Sequence, residues 1–196
     1  MQKTDKIYCY LQSTASDTER LKQQASDCLT LGRLVFDPVL IELDDECVPF
    51  SVAQQQALLE NLPAENFTLR IRDEWSESVF QQHHDVLFER HYFTREQFIS
   101  KRSIILDYLN IQMKHAQFAY IRSYDEFLYH NIERLDYRQM IESPEIIEQH
   151  PKKKNKFGEI ILDGHYFPGY DIFHLGFCFT SCWRMYFGAL YRSVLP

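Results

Sequence analysis

Two thiols near the C-terminal end have the spacing best suited to chemistry. Cys178 and Cys182 stand four apart in the run Asp171-Ile-Phe-His-Leu-Gly-Phe-Cys-Phe-Thr-Ser-Cys-Trp. A cysteine at a helix N-terminus has a lowered pKa, and the thiolate is the nucleophilic form. With Cys182 or Cys178 as nucleophile, His165 or His174 would act as base, and Asp163 or Asp171 would orient it. The commoner state of such a cysteine is buried and inert. The pair does not make a zinc site by itself. Structural zinc takes a further pair of ligands at close spacing, and Cys9, Cys28 and Cys47 lie more than 130 residues upstream.

Histidines give a second candidate. Read as a helix over about 77–92, Phe80, His84, Leu87 and His91 fall in one stripe. His84 and His91 would then lie about 10.5 Å apart along the axis, too far to share one ion. In that helical reading no carboxylate stands at an offset that zinc would use. No metal and no cofactor are expected. The third candidate is the loop Asp163-Gly164-His165-Tyr166-Phe167-Pro168-Gly169-Tyr170-Asp171, where two glycines permit unusual backbone angles. It reads as a ligand rim, a protein-contact knob, or a hairpin turn whose rings pack back on a sheet. A phosphate-binding glycine loop, a dinucleotide fingerprint and a Gly-x-Ser-x-Gly elbow are all missing from the sequence.

The elements that must position these groups follow from periodicity and capping residues. Residues 6–12 alternate as a half-buried strand. Ser16-x-x-Glu19 predicts a helix start, with Leu21, Cys28 and Leu29 on its apolar face and Gly32 as its stop. A strand is expected at about 33–43, closed by the acidic turn Asp44-Asp45-Glu46. Ser51-x-x-Gln54 opens a short helix that ends before Pro63. Residues 67–72 alternate cleanly as a strand, and the helix over 77–92 follows. Thr94-x-x-Gln97 opens the longest predicted helix, about 95–116, striped by Phe98, Ile105, Leu109, Met113 and Ala116. Two more helices are expected from Ser123 and from Ser143-Pro144. Lys152–Lys156 reads as a solvated loop, and 159–163 and 171–179 as strands. A final helix would carry Trp183, Phe187 and Leu190; a single buried helix over 172–191 fits the same periodicity.

Composition bounds the whole. The chain has 196 residues and a net charge of −7. Residues 1–151 hold 25 acidic and 15 basic side chains, a net of −10. That balance repels phosphate backbones, so nucleic acid is not an expected partner, and it favours encounter with a basic protein. No stretch approaches a membrane span, and no apolar signal segment opens the sequence. Five cysteines, an odd number without a disulfide-framework spacing, suit a reducing cytosol.

The expectation is therefore a single α+β domain over 1–196, helix-majority, with a small mixed or antiparallel sheet, a C-terminal hairpin and a terminal helix. Its general character resembles small bacterial inhibitor or immunity proteins that neutralise a toxin. The resemblance spans the chain without a shared motif and carries no residues over. It implies a compact, acidic, cytosolic protein lacking catalytic motifs. The leading functional reading is a non-enzymatic protein-binding protein that covers a basic toxin or nuclease domain. Contact carboxylates would be Asp44, Asp45, Glu46, Asp73, Glu74 and Glu77. Aromatic anchors would be Trp75, Tyr166, Phe167 and Tyr170. The alternative is a small enzyme using the Cys182 or Cys178 thiolate. A structural subunit of a larger assembly is the third reading, with self-association left open.

Overall fold

The computed structural model describes residues 6–14, 17–63, 65–123, 152–162, 172–174, 177–179 and 182–188. In chain order these form β1 (Lys6–Thr14), α1 (Thr18–Val35), β2 (Leu40–Leu43), β3 (Glu46–Pro49), α2 (Val52–Glu60), β4 (Phe67–Arg72), β5 (Glu77–His83), β6 (Val86–Thr94), α3 (Arg95–Ser100), α4 (Arg102–Gln112), β7 (Ala116–Ser123), β8 (Lys152–Lys154), β9 (Ile160–Leu162), β10 (Ile172–His174), β11 (Phe177–Phe179) and β12 (Arg184–Phe187). Eight strands make one antiparallel sheet in the order β12-β7-β1-β6-β5-β4-β2-β3. Hairpins β8–β9 and β10–β11 stand as separate two-stranded sheets.

The sheet buries one face under helices. Ile7, Cys9 and Leu11 of β1, Phe67, Leu69 and Ile71 of β4, and Ala119 and Ile121 of β7 meet Leu21, Ala25, Cys28 and Leu29 of α1 and Ile105 and Leu109 of α4. The opposite face carries a second cluster, Tyr8, Phe118 and Tyr120, with Tyr10, Tyr92, Cys182 and Met185 against it. Strict alternation along each strand separates the two sets. Helix α1 starts where Asp17 accepts the Arg20 N–H. α2 starts where Ser51 accepts the Gln54 N–H. α3 starts with the capping box of Thr94 and Gln97 predicted from the sequence.

The helix-majority expectation is overturned, because the fold is built on the eight-stranded sheet. The predicted helix over 77–92 is the hairpin β5–β6, turned at His84 with φ of 51°. The predicted helix over 95–116 is two helices separated at Lys101, and Ala116 opens a strand. Lys152–Lys154 pairs as a strand with β9 instead of looping free. Within the predicted strand 171–179, Ile172–His174 and Phe177–Phe179 are two strands paired antiparallel.

The terminal helix around Trp183 and Phe187 is instead β12 on the edge of the sheet. Trp183 N–H donates to the Ile121 carbonyl and Gly188 N–H to that of Gln117. A Cβ at Gly188 would lie 1.9 Å from the Ala116 carbonyl oxygen, so glycine is what lets this strand end close to β7. The helices expected from Ser123 and Ser143-Pro144 lie outside the described residues, though Ser123 itself closes β7.

Gly32 does not stop α1 but sits buried within it, three residues before its end. A Cβ there would lie 2.7 Å from Ile71 Cδ1 and 2.8 Å from Ser78 Oγ. Overpacking of this kind costs about 1–3 kcal/mol, set against roughly 1 kcal/mol gained from alanine's helix propensity. Gly32→Ala is expected to lower stability by about 1 kcal/mol net. A urea melt in which the variant is as stable as the parent would contradict this close approach.

Candidate functional site

Among the described residues, a buried cluster of polar side chains is assembled by the hairpin that the sequence reading took for a helix. On β6 the residues facing the helices are Leu87, Glu89, His91 and Phe93, and all four are fully buried. In the sheet, His91 lies between Cys9 of β1 and Ser78 of β5. Glu89 lies between Leu11 and Phe80. Cys28 of α1 comes down onto this row. The Cys28 Sγ, a Glu89 carboxylate oxygen and a His91 ring nitrogen all lie within 4.8 Å of one another.

Neighbours fix the geometry. His91 Nδ1 is 2.9 Å from Ser78 Oγ, and His91 Nε2 is 3.7 Å from Glu89 Oε2. The Tyr108 hydroxyl of α4 donates to Glu89 Oε2. The imidazole stacks on Phe93 at 5.7 Å and meets Tyr108 edge-on at 5.9 Å. Two polar atoms in this centre, Glu89 Oε1 and His91 Nε2, are buried without a hydrogen-bond partner. Burial, then the negative field of Glu89 and Asp27, pushes the Cys28 thiol well above its usual range. Burial and then Glu89 do the same to the Tyr108 phenol. These groups can hold a proton or an ion at the middle of the sheet, but no substrate reaches them directly.

Tyr108 forms the wall between this centre and an outer groove of about 410 Å³ between α1 and α4. The groove is lined by Leu31, Leu34, Ile104 and Ile111, with Asp27 and Asp107 as its carboxylates. Leu34 and Ile111 are more than half exposed.

The residues expected at a protein contact divide between the two ends of β4. Asp44 and Asp45 form the β2–β3 turn, and Glu46 opens β3. Asp73, Glu74 and Trp75 form the β4–β5 connection at the other end of the six-residue strand, roughly 20 Å away. Asp73 is committed to its own turn, accepting the Trp75 and Ser76 N–H groups. Glu77 is committed to Arg70 at 3.4 Å, and Arg70 also meets Glu42. Glu74 and Trp75 are exposed.

The Asp44 end gains residues that sequence reasoning missed. Asp44 and Thr68 exchange hydrogen bonds, its N–H donating to the Thr68 carbonyl and its carboxylate accepting the Thr68 N–H. Asn66 accepts the His84 N–H of the β5–β6 turn. Three connections therefore converge, and Glu65 and Asp85 join Asp44, Asp45 and Glu46, all five exposed. Their signal was the turn pair His84-Asp85, hidden by the helical reading.

Cys182 precedes a strand, so the helix-terminal lowering of its pKa has no basis here; it is half-buried beside the second cluster. His174 and Cys178 lie on the paired strands β10 and β11, where His174 registers with Phe177 and Cys178 with Phe173. His165, Tyr166, Phe167 and Tyr170 lie outside the described residues.

No protein-family model matches the chain, and no curated protein matches it. Among solved structures, the chain is similar to one from the toxic C-terminal tip of CdiA from Pseudomonas aeruginosa in complex with immune protein. The likeness has a TM-score of 0.34 and 10% identity, covering 61% of this chain and 86% of that one. At that level it says nothing about function. No helix among the described residues is long and apolar enough to cross a membrane.

Proposed function

We propose that this is a non-enzymatic binding protein whose partner is a basic protein, an inhibitor of the immunity class that neutralises a toxin or nuclease domain by covering it. The observation that supports this is the acidic end of the sheet. Asp44, Asp45, Glu46, Glu65 and Asp85 project from three converging connections whose tips contain no lysine or arginine. Among the described residues none of the five enters a salt bridge with a lysine or arginine. Exposed like charges held on rigid turns steer an oppositely charged partner and set register more than they add affinity. Trp75 at the other end, and Tyr166, Phe167 and Tyr170, remain the proposed aromatic anchors, since truncating such rings costs most at interfaces. The proposed setting is the cytoplasm, where the free thiols are stable.

The test uses a basic toxin domain encoded beside this gene and follows association by stopped flow. A variant carrying Asp45→Asn, Glu46→Gln, Glu65→Gln and Asp85→Asn keeps Asp44, which holds the turn. It is expected to associate about 10–100-fold more slowly at low salt, with the gap closing as salt rises. Equal rates for parent and variant would remove the acidic end from the reading. Absence of binding to any such neighbour would remove the inhibitor reading itself.

A further inference from the structure

We propose that Cys28, Glu89 and His91 are the protein ligands of a buried metal site, and that zinc is the ion they suit. Thiolate, imidazole and carboxylate together are a zinc donor set, with bonds of about 2.0–2.3 Å. Two such ligands at a tetrahedral angle lie roughly 3.3–3.8 Å apart. His91 Nε2 and Glu89 Oε2 are 3.7 Å apart, and Cys28 Sγ completes a set within 4.8 Å.

Three independent features point to a ligand here. One oxygen of that carboxylate, Glu89 Oε1, and the ring nitrogen His91 Nε2 are left without hydrogen-bond partners in a fully buried centre. A buried polar atom without a partner is costly, and each one in a native protein calls for an explanation such as an ion. The outer shell is already in place. Ser78 Oγ engages His91 Nδ1, which leaves Nε2 for the ion, and the Tyr108 hydroxyl orients the carboxylate. Tyr108, which holds the carboxylate, also lines the α1–α4 groove, where Asp27 and Asp107 supply negative charge on the outer side of the centre. The fourth position falls to water or to the Tyr108 oxygen. The ion would tie α1 to the centre of the sheet, so its role is structural and compatible with a binding function.

Cobalt titration of the metal-stripped full chain tests this. One cobalt ion per chain is expected, with a thiolate-to-cobalt charge-transfer band that zinc abolishes by displacement. Cys28→Ser is expected to lose the band, while Cys47→Ser keeps it. Ser78→Ala, with unchanged circular dichroism, is expected to bind about 10–100-fold more weakly. A folded parent protein that takes up no cobalt at micromolar concentration overturns the proposal, whatever the variants do. Survival of the band in Cys28→Ser overturns it equally. Neither outcome bears on partner binding, which is measured separately.

Discussion

Tyr108→Phe, measured in metal-stripped protein, is expected to destabilise the fold by about 2–4 kcal/mol. The substitution removes one hydroxyl and changes almost no volume. That hydroxyl is the one hydrogen-bond donor to Glu89 among the described residues. Glu89 is fully buried between Leu11 and Phe80, with its other oxygen already unpartnered. Removing one half of a buried polar pair leaves the other half desolvated and unpaired, which costs far more than the bond contributes. For a chain of this size the loss corresponds to a fall in Tm of roughly 5–15 °C.

The double variant Tyr108→Phe with Glu89→Leu separates this cause from simple packing loss. With both partners replaced by apolar groups, stability should recover most of the difference, giving a coupling of about 2 kcal/mol in the cycle. Additive losses would mean that the two groups do not depend on each other. Zinc should magnify the effect of Tyr108→Phe if the carboxylate it orients is a ligand.

The parts of the fold legible in the sequence are those where a regular apolar row faces a row of polar residues or tyrosines. β1, α1 and β4 each bury a regular row, Ile7-Cys9-Leu11, Leu21-Cys28-Leu29 and Phe67-Leu69-Ile71, and each reads at its proper period. β6 defeats the same logic because its inward row includes Glu89 and His91 while its outward row includes Phe88 and Tyr92. Alternation of apolar and polar is lost, and the surviving apolar positions mimic a helical stripe.

That error hid the site as well. Residues two apart point about 200° apart around a helix but to one side of a strand. Glu89 and His91 become neighbours only once β6 is a strand. Cys28 joins them through the packing of α1 on the sheet, a relation sixty-one positions distant that no spacing rule encodes. β7 and β12 were missed for a related reason. β7 is apolar on both faces, with Ala119 and Ile121 inward and Phe118 and Tyr120 outward, so no single face stands out. The acidic turn at 44–46 was legible from local composition, whereas Glu65 and Asp85 reach it only through strand order.

Stability should also fall steeply above pH 9, because the interior holds groups that must stay protonated. Cys9 and Cys28 are fully buried, and burial raises both thiols well above the ordinary value of 9.0. Tyr8 and Tyr108 are raised above 10.0 in the same way, with burial the largest cause. A raised folded-state pKa gives stability that is complete below the unfolded value and is lost as pH climbs toward the folded one. Between those limits the unfolded chain releases a proton that the folded chain keeps.

At pH 10 each thiol would have withdrawn on the order of 1 kcal/mol and each phenol less than half of that, a total of roughly 3–4 kcal/mol relative to neutral pH. Urea unfolding in chelator at pH 7.5, 9 and 10 measures this, and an unchanged midpoint would refute it. Cys9→Ala with Cys28→Ala should flatten the profile to the phenol share alone, whatever the substitutions cost at neutral pH. Zinc divides the two thiols. A metal-bound Cys28 is already a thiolate in the folded protein, so it has no proton left to retain. The zinc-loaded chain should therefore lose the Cys28 contribution to the alkaline decline while keeping that of Cys9.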